Sequence, residues 1–387
     1  MPSSGASVVG VGYTPLTRDS GVSVLELATQ ATRRALEDAG LEADDCDGVA
    51  TFAMGDSVPA QSVATSVGIT NISHFMDLSL GGQSPCHLLL LADAVIRAGL
   101  ADTIVLYRAL NGRSGKRVGR EEAGPEAPDS VQRRHAVGLT AYPQYIAMWT
   151  RRFMEATGAT ESDLGAVAIA QREYARDNSR AVLREPLTLD GYFSSPMVAN
   201  PFRVADCTRE VDGACAIVVR RTDWCTGLRH EPVLVHGGAF ASGPRPGREI
   251  GDILLWDDFS RNCMHHVSER LWRNTGMRPG DIDVAEIYDC FSSAVLYALE
   301  GLEFVNRGEA GDFIRDGQTR IDGSLPVNTH GGLLSEGYLH GMNTLAEAVN
   351  QLRGDAGTRT VPGASTAVVT SGTLMDGAAA VLRRADQ

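Results

Sequence analysis

The second half of the chain repeats the first, and no other feature restricts the fold as much. Leu27, Ala28, Ala31, Ala35 and Leu36 share one apolar face of a helix predicted over 23–39. An offset of 236 residues carries them to Cys263, Met264, Val267, Leu271 and Trp272, a second such face. The same offset takes the helix-ending Gly40 to Gly276, Asp47 to Asp283 and Phe52 to Tyr288. Further on, LADAVI at Leu91–Ile96 is echoed by LAEAVN at Leu345–Asn350, and DGACAIVVRR at Asp212–Arg221 by DGAAAVLRR at Asp376–Arg384. Two similar β/α halves have been joined. Asp47 to Asp212 spans 165 residues against 93 from Asp283 to Asp376, so the first half carries about 72 extra residues, placed between Arg108 and Asp212. That insertion begins polar and Gly/Pro-rich (Asn111–Asp129) and continues with helical patterns over 143–157 and 162–179. It is expected to cover the active-site face.

Along the first half, SVVGVGYTP reads as a strand, with Gly10-Val11-Gly12 as a turn, because the third glycine of a dinucleotide fingerprint is missing. Strands are predicted at Asp47–Phe52 and Thr103–Arg108, with a helix over Cys86–Ala98 between them. This alternation favours a sheet with helices on both faces.

Composition removes whole classes of function. A net charge of -13 and a pI near 5.2 argue against nucleic acid, whose phosphates need a basic surface. Arg113, Lys116, Arg117 and Arg120 form the one basic cluster, read as a solvated loop, with contact to nucleotide-like phosphates as the alternative. Seven scattered cysteines without a CxxC pair point to reduced thiols in a cytosol. No run approaches the ~20 apolar residues of a membrane span, and no export signal opens the chain, so a cytoplasmic location is expected. Lys116 is the only lysine and sits in polar sequence, which nearly excludes Schiff-base chemistry. His265-His266 is the only adjacent histidine pair, and helical neighbours point apart, so no metal site is expected. Gly82–Cys86, GQSPC, misses the last glycine of a serine-hydrolase elbow.

Chemistry concentrates in two segments. Asn328–Asn343, NTHGGLLSEGYLHGMN, packs four glycines, two histidines and a tyrosine ahead of a helical run. So much glycine is costly unless the backbone must turn sharply or approach a ligand. Glu286–Phe291, EIYDCF, closes a strand and opens a helix.

On these residues the chain resembles the thiolase superfamily, whose fold is two stacked βαβαβαββ halves in α-β-α-β-α layers, with a loop domain inserted in the first. The resemblance implies a first part of the N-terminal half at 1–110, an inserted cap at 111–208, the last strand of that half at 209–228 and a C-terminal half at 229–387. It places the family's nucleophilic cysteine at Gly82, and its second catalytic cysteine near Thr370-Ser371-Gly372; both are absent. The Asn-Glu-Ala-Phe motif becomes Tyr288-Asp289-Cys290-Phe291, and Gly-His-Pro becomes Gly337-Tyr338-Leu339. Claisen chemistry is therefore expected to be lost. The substitutions are similar to those of the thiolase-like "lipid-transfer protein" aldolases that cleave steroid side chains, which carry YD-x-F and G-Y-x-H-G segments.

That branch implies Tyr288 and Tyr338 as the catalytic pair, with His340, His330 and Asp289 in support and backbone N–H groups around Gly82, Gly332 and Gly372 as donors to an oxyanion. It implies retro-aldol cleavage of a steroid acyl-CoA bearing a 17-hydroxyl, giving a 17-ketosteroid and propionyl-CoA. Coenzyme A would enter as part of the substrate, with no tightly bound cofactor. A homodimer and a small OB-fold, zinc-ribbon partner of the DUF35 type are also implied. Which tyrosine is base stays open. So do two other classes, an acyltransferase using Cys86 or Cys290 and a non-catalytic acyl-CoA or lipid carrier.

Overall fold

The computed structural model describes residues 5–115, 117, 129–244 and 256–385. Lys116, Arg120 and most of the polar start of the insertion lie outside them; Arg117 is exposed and pairs with Glu210.

The first half contains β1 (Ala6–Tyr13), α1 (Val24–Ala39), β2 (Gly48–Phe52), α2 (Ala60–Val67), β3 (His74–Leu78), α3 (Ser84–Arg97) and β4 (Thr103–Asn111). There follow α4 (Asp129–Ala136), α5 (Tyr142–Thr157), α6 (Glu161–Arg176), α7 (Leu189–Ser194) and the small hairpin β5 (Met197–Ala199) and β6 (Phe202–Arg203), before β7 (Asp212–Arg221). The second half has β8 (Val233–Ser242), α8 (Met264–Thr275), β9 (Val284–Glu286), α9 (Ser292–Gly301), α10 (Ala310–Arg315), α11 (Gly332–Ser335), α12 (Met342–Arg353), β10 (Thr366–Ser371) and β11 (Asp376–Arg384).

The strands run β3-β2-β4-β7-β1 and then β8-β11-β10-β9, so each half orders its own strands alike. Among the described residues the two sets meet where Ser7 and Val8 of β1 pair with Leu234 and Val233 of β8. Among the described residues the second half has no full counterpart of β3. In its place a single parallel bridge joins Val327 to Ala285 of β9, and the glycine-rich segment starts at the next residue.

Local signals explain the repeated helices. Ser23 caps α1 by accepting from the Glu26 N–H, and Gly40 ends it in the left-handed conformation; Gly276 ends α8 in the same way. The apolar faces predicted for both are buried, except that Trp272 at the end of the second is only half-buried, and truncating a residue such as Leu271 to Ala would cost about 2–5 kcal/mol. α3 and α12 pack against strands of both halves and form the middle layer. α12 is accordingly buried nearly all round.

Gly10 and Gly12 do not make a turn. They lie within β1, where a Cβ would sit 2.1 Å from the Ala35 carbonyl oxygen and 2.2 Å from that of Ala31. Glycine is needed there because α1 lies directly on the strand.

Candidate active site

The segment Asn328–Asn343 is buried from end to end, unlike an ordinary connection. Asn328, Gly331, Gly332, Gly337, His340 and Gly341 all have positive φ, so the chain folds back on itself repeatedly. Its buried backbone finds partners. Asn328 N–H donates to the Ala285 carbonyl at 3.0 Å, Leu333 and Leu334 N–H to the Asp289 carboxylate, and Tyr338 N–H to the Arg209 carbonyl at 2.9 Å.

Beyond β9, the Ile287 N–H donates to Asn328 Oδ1 and the Tyr288 N–H to Thr370 Oγ1, at 2.6 and 2.9 Å. This brings Tyr288 against Tyr338, their hydroxyls 2.7 Å apart. Burial holds both phenols above their ordinary range. Cys290 adds to the effect on each, whereas Arg108 and the Tyr288 hydroxyl pull Tyr338 back down. The pair lines a cavity of about 1080 Å³, shared with Gly82, His340 and Gly372. Tyr142, Val198 and Cys207 of the insertion form part of its wall. The volume suits a drug-sized ligand.

Gly82 has a steric reason. A Cβ there would stand 1.9 Å from the Tyr288 hydroxyl oxygen, so the phenol occupies the space that a side chain at position 82 would need. A nucleophile at Gly82 and a tyrosine at 288 in this rotamer exclude each other. Gly372, with φ of 81°, sits in the turn between β10 and β11, where a Cβ would meet the Asp376 carbonyl at 2.5 Å.

His340 joins the pair, its ring centroid 4.7 Å from that of Tyr338. Its Nδ1 faces Arg108, 2.7 Å from Nη2 and 3.1 Å from Nε. Arg108 is fully buried at the core of β4 and also binds Asp56 at 2.6 Å. Burial and the Arg108 charge push His340 down to about 3.

The other expected supports lie elsewhere. His330 does not line the cavity. It sits behind the segment, 3.0 Å from Glu286 and 3.9 Å from Glu336. Burial alone would lower its pKa, but Glu336 and Glu286 outweigh burial and hold it at about 9. Glu336 is bound in turn by Arg180, Asn178 and Asn343, and Glu347 by Arg359. Asp289 caps α11, and burial pushes its carboxyl up to about 7. Gly332 packs beside it, where a Cβ would be 2.2 Å from Oδ2; neither faces the cavity. The nucleophile candidates are also poorly placed. Cys86 is fully buried, with burial pushing its thiol up to about 12. Cys290 does reach the cavity, but burial and Asp289 raise its thiol as well.

Arg108 and Asp56 were not singled out from sequence. The signal was available: an arginine ends the apolar run TIVLYR, and a buried strand carries a charge only when something pairs with it.

Known proteins resemble the chain over nearly its whole length. The chain is 38% identical over 379 residues to a Mycobacterium tuberculosis protein described as 17-hydroxy-3-oxo-4-pregnene-20-carboxyl-CoA lyase, covering 96% of this chain and 97% of that one. It is 38% identical over 388 residues, with the same coverage, to a steroid side-chain-cleaving aldolase of Thermomonospora curvata. The chain belongs to the steroid side-chain-cleaving aldolase branch of the thiolase superfamily. Residues 251–384 match the family model for a thiolase C-terminal domain-like region. A solved structure described as an Ltp2-ChsH2(DUF35) aldolase matches this aldolase fold with a TM-score of 0.90 and 35% identity, over 100% of this chain and 99% of that one. Among the described residues of this thiolase relative, no helix is long and apolar enough to cross a membrane.

Proposed function

We propose that the protein cleaves a β-hydroxyacyl-CoA by a retro-aldol reaction. The substrate is 17-hydroxy-3-oxo-4-pregnene-20-carboxyl-CoA, and the products are a 17-ketosteroid of the androstenedione type and propionyl-CoA. The reading is carried by one observation, the two cavity-lining tyrosine hydroxyls 2.7 Å apart. Breaking the Cα–Cβ bond requires that the β-hydroxyl lose a proton, that the thioester accept the electron pair as an enolate, and that Cα gain a proton. Tyr338 Oη takes the substrate hydroxyl proton while passing its own to Tyr288 Oη, and Tyr288 delivers its proton to Cα. The Cβ–O bond becomes a carbonyl as the Cα–Cβ pair moves into the thioester. One proton has moved from oxygen to carbon, and both phenols end neutral. No resting phenolate is needed, which suits two phenols that burial holds above their ordinary range. Tyr338 takes the base end because Arg108 lies on its side and eases ionisation there.

The 38% relatives and the DUF35-containing aldolase support the substrate class and a DUF35-type partner. In this reading the protein is a cytoplasmic homodimer that uses coenzyme A only as part of the substrate. The inserted residues 111–208 act as a cap between 1–110 and 209–228, with 229–387 as the second half. The test is a mass-spectrometric assay of the 17-hydroxy C22 steroid acyl-CoA without added free CoA, with and without a DUF35 partner. Propionyl-CoA and ketosteroid are expected in equal amounts. Turnover that requires free CoA and a β-ketoacyl substrate would support the acyltransferase instead, and a bound but unchanged thioester would support a carrier.

A further inference from the structure

The imidazole of His340 is held from one side only. An arginine guanidinium has donors and no acceptor, so the Nδ1 that meets Arg108 Nε and Nη2 at 3.1 and 2.7 Å must be the unprotonated, accepting nitrogen. The ring proton of the neutral imidazole is then on Nε2. Among the described residues no acceptor is found for Nε2, and His340 lines the cavity beside Tyr338. The groups that fix this state come from three places in the chain: Arg108 on β4, Asp56 after β2, whose Oδ2 is 2.6 Å from Arg108 Nη2, and the Phe52 ring, 5.2 Å from the guanidinium carbon. His340 itself has φ of 52°, a conformation uncommon for a side-chain-bearing residue and here over-determined by its surroundings.

We infer that Arg108 and Asp56 are positioning residues that hold His340 as a neutral Nε2–H donor to the thioester carbonyl oxygen, the atom on which charge collects as the Cα–Cβ bond breaks. This rests on the retro-aldol reading. A fixed donor aimed at developing enolate charge in a buried site is the arrangement that accelerates such a step. Asp56 balances the buried guanidinium, so that Arg108 can sit beside the imidazole without an unpaired charge. Among the described residues, Tyr338 is the further titratable group packed against the ring.

Two measurements test this on the full chain. With 15N-labelled histidine, and His340 assigned by its loss in His340→Gln, the wild type is expected to show the Nε2–H tautomer and no titration of His340 between about pH 5 and 9, against an ordinary histidine near ~6.5. The double variant Asp56→Leu with Arg108→Met replaces a buried ion pair by apolar side chains, an exchange often neutral for stability. It is expected to titrate near the ordinary range. Its kcat at pH 8 should fall about 10- to 100-fold with little change in KM, and should recover in part as pH drops through ~6.5 and both ring nitrogens gain protons. Should that variant not fold, His340→Phe is expected to lose about 100-fold or more in kcat while His340→Gln, which keeps an N–H donor, retains much of it. An Nδ1–H tautomer, an ordinary titration in the wild type, or full kcat in His340→Phe would overturn the inference. A wild type with the Nε2–H tautomer that cleaves no β-hydroxyacyl thioester would overturn the reaction and the assigned acceptor together.

Discussion

His330 and His340 lie ten residues apart on one buried segment, yet they are driven in opposite directions. His330 is enclosed by Glu286 and Glu336, which hold it protonated up to about 9. His340 faces Arg108 and stays neutral down to about 3. Burial is nearly equal at the two sites, so the sign of the neighbouring charge decides the outcome. The segment thus has a structural face, where a cation closes an acidic network, and a cavity face, where a neutral ring and two phenols line the pocket. A histidine near a cavity-lining tyrosine in sequence need not share its surroundings; what matters is which layer of the fold supplies its partner.

The largest expected effects separate these faces. Tyr338→Phe removes one link of the proton path and should lower kcat by about 10²- to 10⁴-fold, with an unchanged urea midpoint. Glu286→Leu should do the reverse. It leaves His330 with one acidic neighbour fewer, costing about 3–5 kcal/mol in urea unfolding, while the folded fraction keeps its turnover. A kcat loss in the second variant equal to that in the first would erase the distinction.

Smaller effects should appear in stability against pH. The folded pKa of His330 is raised above its unfolded value, so its contribution is fully present below ~6.5 and is lost as pH rises through about 9. That amounts to about 3 kcal/mol. The folded pKa of His340 is depressed, so its contribution is present above ~6.5 and is lost as pH falls towards about 3. Urea midpoints across pH should therefore slope down on both sides of neutrality. His330→Gln should flatten the alkaline limb alone, and His340→Gln the acid limb alone. The least effect is expected from Cys290→Ser. This thiol touches the cavity but is kept protonated by burial and Asp289, so turnover should change little; abolition would revive the acyltransferase reading.

Much of this was legible in the sequence because it is local or repeated. The caps of α1 and α8, the echo between halves and the tyrosine-bearing segments all sit in short windows. What escaped depends on contacts distant along the chain. Arg108 and His340 are separated by 232 residues, and His330 and Glu286 by 44, so nothing beside either histidine reveals its charge state. Gly10 and Gly12 read as a turn because sequence shows only the missing side chain, not the helix that needs its room. Asp289 and Gly332 stand in or beside the right motifs, but their atoms are spent on each other and on capping α11.

The central claim is that the two tyrosine hydroxyls act as one unit, and a double-mutant cycle in single turnover tests it most directly. Tyr288→Phe, Tyr338→Phe and the double variant would be compared with wild type for ketosteroid release from the 17-hydroxy steroid acyl-CoA. A shared proton path predicts that each single loss is nearly as large as the double loss, because one broken link stops the relay. Losses that multiply, or one single variant that keeps the wild-type rate, would contradict it.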